Sequence, residues 1–148
     1  MTANVASVCT SFKNELMLGF HCLGAGIRAA DALKAALYLQ NQSKGGGTTA
    51  YSATGEVSGT GYTAGGKAVT NGVAPTTSGI TAFWTPSAQV QWTGLTIASL
   101  FDCWLLYNST QANRGIAVLT FPAQTVTAGT FTITFPANGP TTALLQVS

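Results

Sequence analysis

The segment G-T-F-T-I-T-F, Gly129 to Phe135, constrains the fold more than any other stretch of the chain. Phe131, Ile133 and Phe135 alternate with Thr130, Thr132 and Thr134. An extended backbone therefore turns an apolar face to a core and a β-branched hydroxyl face away from it, whereas a helix would scatter the same residues around its circumference. Comparable runs predict strands at Ile80 to Trp84, Gln89 to Ile97 with a kink near Gly94, Phe101 to Asn108, Gly115 to Phe121, Gly129 to Phe135 and Thr142 to Val147. Pro122 and Pro136 each follow a strand-ending Phe, where a missing N–H costs the ladder least.

Upstream the signals are mixed. Phe12, Leu16, Phe20 and Leu23 lie at helical spacing behind Thr10-Ser11, which predicts a short helix packed against a sheet, and Gly24 and Gly26 break the pattern into a loop. In A-L-K-A-A-L-Y-L-Q, Ala and Leu favour a helix by propensity. Alternation favours a strand instead, with Leu33, Ala35, Leu37 and Leu39 on one face and Lys34, Tyr38 and Gln40 on the other. Asn41 to Gly47 reads as a flexible Gly-rich loop, and Thr48 to Gly79 as the third of the chain most apt to move. Short strands are expected there at Tyr62 to Ala64 and Lys67 to Thr70, with a turn at Asn71-Gly72. The resulting expectation is one domain over residues 1–148, an all-β antiparallel sandwich with one short N-terminal helix, a jelly roll being one connectivity open to it.

Only 7% of the residues are Asp, Glu, Lys or Arg, against about 25% in ordinary soluble domains. Six basic and four acidic residues leave a net charge of +2 without any basic run, so a nucleic-acid partner is not expected. A surface this poor in charge has little repulsion to keep copies apart, which favours a protein covered by copies of itself or by other proteins in an assembly. Lys13, Arg28, Trp84 and Arg114 are candidate assembly contacts. Cys9, Cys22 and Cys103 show neither a disulfide framework nor metal-ligand spacing, and reduced thiols are expected. Met1 to Ser7 is too short and polar for a secretion signal, so the chain is expected to begin as written, and no apolar run reaches the length of a membrane span.

The chemistry-bearing residues form no motif, and no catalytic, cofactor or metal residue is assigned. Gly59, Gly61 and Ala64 have the spacing of a dinucleotide loop, but no apolar strand precedes them, and Asn71-Gly72 and Pro75 preclude the helix that would hold a pyrophosphate. Those glycines are read instead as sites of tight turns or close backbone approach. Glu15, Asp31, Glu56 and Asp102 are the only carboxylates and His21 the only histidine, so a hydrolase would need Asp102 and His21 to meet in a cleft. Trp84, Trp92, Trp104 and Tyr107 could present a sugar-stacking platform, although aromatics on strands are more often core.

Thr10 to His21, Ala32 to Tyr38, the block T-T-A-Y-S-A-T-G-E-V-S-G-T-G-Y-T-A-G-G at Thr48 to Gly66, Y-N-S-T-Q-A-N at Tyr107 to Asn113 and Ala128 to Ala137 together resemble a group of small tailed-bacteriophage virion proteins. The resemblance runs over nearly the whole chain, and its most specific parts are E-V-S-G-T-G-Y-T-A-G-G at Glu56 to Gly66 and the Tyr107 to Asn113 block. It departs at Leu33, where the group tends to have Phe, and at Thr120-Phe121-Pro122, where Asp-Phe-Gly is expected. The resemblance implies a structural component of the virion, carries over no functional residue, and does not distinguish head from tail. The expected function is that of a capsid decoration or cement protein, a homo-oligomer such as a trimer bound to the major capsid protein. The alternative is a tail- or fibre-associated module that binds a host surface glycan.

Overall fold

The structure, a computed structural model, describes residues 2–148. Eight strands and one helix follow in the order β1 (Ser7–Val8), α1 (Thr10–Met17), β2 (Leu33–Leu39), β3 (Lys67–Val69), β4 (Thr76–Ser78), β5 (Thr81–Trp84), β6 (Val90–Asn108), β7 (Arg114–Ile133) and β8 (Leu145–Val147). They form a five-stranded sheet in the order β1-β7-β6-β2-β3 and a three-stranded sheet in the order β4-β5-β8, with every pairing antiparallel. One apolar cluster includes side chains from both sheets, among them Leu33, Leu37, Leu105 and Ile116 of the larger and Trp84 and Leu145 of the smaller. The fold is an all-β sandwich with a single short N-terminal helix.

The β6–β7 hairpin dominates the architecture. Where four separate strands are predicted, β6 and β7 each run unbroken for 19 and 20 residues. The proximal half, Phe101 to Asn108, is flanked by β2 in register from Leu33↔Asn108 to Leu39↔Phe101. The distal half turns back over the sheet. Phe121 and Phe131 lie on the same strand, yet their ring centroids are 5.2 Å apart, whereas ten residues of straight strand would span about 33 Å. Phe101 also meets Phe131 at 5.2 Å, edge to face, so aromatic rings fill the space inside the fold-back.

Extra residues in the ladder make the corner. The pairs Phe101↔Gln124 and Cys103↔Thr120 leave Phe121, Pro122 and Ala123 opposite Asp102 alone. Pro122 therefore does not end a strand as expected. It sits within β7 at a bulge, where the ladder asks it for no N–H. A second irregularity between Trp92 and Leu95 spans Gly94, so the expected kink is a bulge that bends β6 without breaking it.

Other elements follow the sequence less closely. β2 matches the alternation at Leu33, Ala35 and Leu37, but Ala36 and Tyr38 on the opposite face are buried too, because that face is also covered. The helix stops at Met17 rather than running to Leu23: Phe20 N–H donates to Glu15 O and Gly19 N–H to Leu16 O, closing the last turn. Tyr62 to Ala64 forms no strand and touches the sheet through the neighbouring Thr60↔Thr96 bridge. β8 takes only the last part of Thr142 to Val147, and Thr76–Ser78 pairs with β5 without any apolar signal. The turn between those two strands falls at Gly79-Ile80, while Asn71-Gly72, where a turn is expected, lies in the irregular segment between β3 and β4.

The glycine block lies flat on the sheet. A Cβ on Gly59 would stand 1.9 Å from Thr96 O, and one on Gly66, with φ +73°, 1.9 Å from Ala35 O. Close approach to the strand backbones, not phosphate binding, accounts for these glycines. Replacing Gly66 with Ala should destabilise the protein by about 2–4 kcal/mol. Gly47→Ala, where an added Cβ meets nothing within 4 Å, should stay within about 0.5 kcal/mol. Urea midpoints of the two variants check this.

Candidate functional site

Five of the polar residues singled out from the sequence, Glu15, His21, Arg28, Asp31 and Arg114, converge at the turn end of the β6–β7 hairpin. Asp31, buried in the loop just before β2, accepts from Arg28 Nη1 at 2.5 Å and Nη2 at 3.2 Å, from Cys22 N–H at 2.7 Å and from Asn108 Nδ2 at 2.6 Å. Glu15, on the buried face of α1, accepts from Arg114 Nη1 at 2.6 Å and meets His21 Nε2 at 2.8 Å. Burial alone would raise both carboxyls. The bonds from Arg28, Cys22 N–H and Asn108 at Asp31, and from His21 and Arg114 at Glu15, outweigh it and hold both below the usual carboxylate range.

Asn108 links the two halves and fixes the histidine. Its Oδ1 accepts from Thr110 N–H and Gln111 N–H across the hairpin turn, so the amide orientation is set and Nδ2 faces Asp31 and His21 Nδ1. An amide nitrogen only donates, so Nδ1 accepts and Nε2 carries the proton given to Glu15. Both ring nitrogens of His21 are engaged and its side chain is fully buried. Asp102 belongs to a separate contact, accepting from Asn4 Nδ2 at 2.6 Å. The structure does not bring His21 and Asp102 together.

A second polar pin holds the Gly-rich block. Glu56 accepts from Tyr51 Oη and Tyr62 Oη, each at 2.7 Å, and from Gly65 N–H at 2.8 Å, while Tyr107 Oη donates to Gly65 O at 2.6 Å. Burial, followed by the bond to Glu56, pushes Tyr51 up to about 12, so its hydroxyl remains a donor. Burial likewise raises Cys9 to about 11 and Cys103 to about 12, which keeps both as thiols rather than metal-binding thiolates. Among the described residues no group of His, Cys, Asp and Glu has the arrangement of a metal site. No described helix is long and apolar enough to cross a membrane.

All four carboxylates of the chain are therefore taken up by internal partners. Of the four candidate contacts, Arg28 is bound to Asp31 and Phe20 O, and Arg114 reaches Glu15 and lies 4.7 Å from the Phe20 ring centroid. Lys13 is exposed on α1. Trp84 is 1% exposed, with its indole N–H donating to Val73 O, so it shapes a surface from beneath rather than meeting a partner directly. Trp92, Trp104 and Tyr107 are buried as well and offer no platform to a sugar ring.

What sequence reading missed is the apolar surface. Between α1 and the small sheet runs a groove of about 580 Å³ whose walls include Phe12, Leu16, Met17, Phe83, Trp84 and Val147, with Lys13 at its edge. Met17 is 82% exposed and Val147 56%, and nearby in sequence Leu18 and Ile80 are 64% and 92% exposed. Met17 is the last helical residue, beside the stripe rather than on it, Leu18 follows the helix end and Ile80 lies in a turn, so periodicity carried no sign of them. No protein-family model, curated protein or solved structure matches the chain.

Asn108→Ala would leave a buried carboxylate and an imidazole nitrogen short of a donor and should cost about 2–4 kcal/mol, read from the thermal or urea midpoint. The acid limb follows from the depressed carboxyls. Their contribution is complete above the ordinary values of 3.8 for Asp31 and 4.5 for Glu15, and is lost as pH falls through the lower folded values. Asp31→Asn should lower stability at neutral pH and flatten the decline below pH 4, measured as midpoint against pH.

Proposed function

We propose that the chain is a structural component of a tailed-bacteriophage virion, and within it a capsid decoration or cement protein bound across neighbouring copies of the major capsid protein. The observation that carries this reading is the surface left by the fold. Each side-chain carboxylate has an internal hydrogen-bond partner, while Met17 and Val147 stand in solvent on the walls of an apolar groove and Leu18 and Ile80 are exposed as well. Exposed apolar side chains on a surface so poor in charge favour burial against another protein. The sequence resemblance supports the same reading. Its two most specific blocks, Glu56 to Gly66 and Tyr107 to Asn113, coincide with the parts held by Glu56 and Asn108, which is where a family that shares a scaffold rather than a reaction would keep its sequence. A tail-associated glycan module would need aromatic faces other than the buried tryptophans.

Copy number tests the proposal. A stained gel of purified virions should show this chain in amounts comparable with the major capsid protein; a few copies per particle would place it on the tail, and none would remove it from the virion. Met17→Asp with Val147→Asp should leave the thermal midpoint nearly unchanged, since both side chains already face water, and weaken binding to undecorated shells roughly tenfold or more.

A further inference from the structure

The chain contains two Asn-Gly pairs, Asn71-Gly72 and Asn138-Gly139, and the fold treats them in opposite ways. Asn71 is clamped. Its Oδ1 accepts from Gly24 N–H at 2.6 Å, and its Nδ2 donates to Cys22 O at 3.0 Å and Asp31 O at 2.8 Å, so the side chain ties the loop before β2 to the end of β3. Asn138 is exposed in the segment after β7, and its side chain has no hydrogen-bond partner among the described residues. The next nitrogen, Gly139 N–H, is held only by Ala137 O at 3.0 Å.

We infer that Asn138 is a site of spontaneous covalent modification, a deamidation that converts it to aspartate and isoaspartate while Asn71 is protected. The reaction needs the following backbone nitrogen to approach the side-chain carbonyl carbon, which a glycine permits because no side chain obstructs it. Gly139 N attacks Asn138 Cγ and loses its proton as the N–Cγ bond forms. The Cγ–Nδ2 bond breaks, ammonia leaves, and a five-membered succinimide remains. Solvent water then adds to one of the two imide carbonyls and opens the ring, giving aspartate or its β-linked isomer. At Asn71 the same attack would require Cγ to swing away from all of its partners, and the resulting carboxylate would face the carbonyl oxygens of Cys22 and Asp31.

The product has a specific effect on this surface. The new carboxylate adds an exposed anion to a chain whose four native side-chain carboxylates are buried or half-buried and hydrogen-bonded internally, and lowers the formal net charge from +2 by one. It appears on the wall of a cleft that Asn138 shares with Thr85, Ser87 and Gln89. Older molecules would thus differ from fresh ones at one defined place.

Incubation of the intact folded protein at mildly alkaline pH, followed by proteolysis and mass spectrometry of both Asn-Gly peptides, tests the inference. The Asn138 peptide should convert roughly tenfold faster or more than the Asn71 peptide, since loss of the clamp must precede reaction at Asn71. In denaturant the two rates should approach one another, and Asn138→Gln should remove the fast conversion in the folded protein. Equal rates in the folded protein, faster conversion at Asn71, or a difference of the same size in denaturant would each overturn it.

Discussion

The structure depends on a hairpin that is long enough to fold over itself. β6 and β7 keep their pairing from Asn108↔Arg114 to Val90↔Ile133 while the ribbon reverses direction, so the same two strands contribute to the sheet and to the layer that covers it. A straight ribbon of that length would leave the aromatic faces of Trp92, Phe101, Phe121 and Phe131 in water. Folding back brings Phe131 against Phe101 and Phe121, each at a centroid distance of 5.2 Å, and adds to the cross-strand pair it makes with Trp92, so that burial and ring-to-ring contact both stabilise the reversal. The irregularities from Gly94 to Pro122 are the physical means of the reversal, among them Ala98, Ser99 and Leu100 opposite Thr125, because extra residues on one strand bend the pair without ending it.

The polar residues secure what the hairpin organises. Asn108 caps the hairpin turn and joins the Asp31 and Glu15 clusters, and Glu56 draws Tyr51, Tyr62 and Gly65 N–H to one point, holding the Gly-rich block against β2 and β6. Buried carboxylates require such partners, since an unpartnered one would be severely destabilising. With so few ionic side chains in the chain, the use of its carboxylates as internal struts leaves the exterior mainly to threonine, serine, glycine, apolar groups and a few lysines and arginines. The assembly role proposed above rests on that division between a polar interior framework and an apolar groove outside it.

Much of this was legible in the residues. Alternation at Gly129 to Phe135 and at Leu33 to Leu39 marks strands because half the side chains must face a core, and Phe131, Ile133, Leu33 and Leu37 do. The glycines of Gly55 to Gly66 signal close approach, as Gly59 and Gly66 show. The continuity of β6 and β7 was not legible, because Gly94 and Pro122 carry the same local signal whether a strand ends or bulges. The helical spacing of Phe20 and Leu23 overran the helix, since Phe20 lies beneath Arg114 only after the chain has turned. Asn108 and Asn71 gave no sign of their roles, because a clamp is defined by partners distant in sequence. Trp84 stood out as a surface candidate only until burial placed it under the groove.

Amide hydrogen exchange along β6 and β7 of the isolated protein tests the folded-back hairpin most directly. If the distal half is a true second layer, the paired amides from Val90 to Ile97 and from Val126 to Ile133 will be protected to nearly the same free energy as those of Phe101 to Asn108, and will open only with the whole domain. Fast exchange confined to the distal half, with the five-stranded sheet still protected, would mean that the ribbon does not close over the core and would contradict the account.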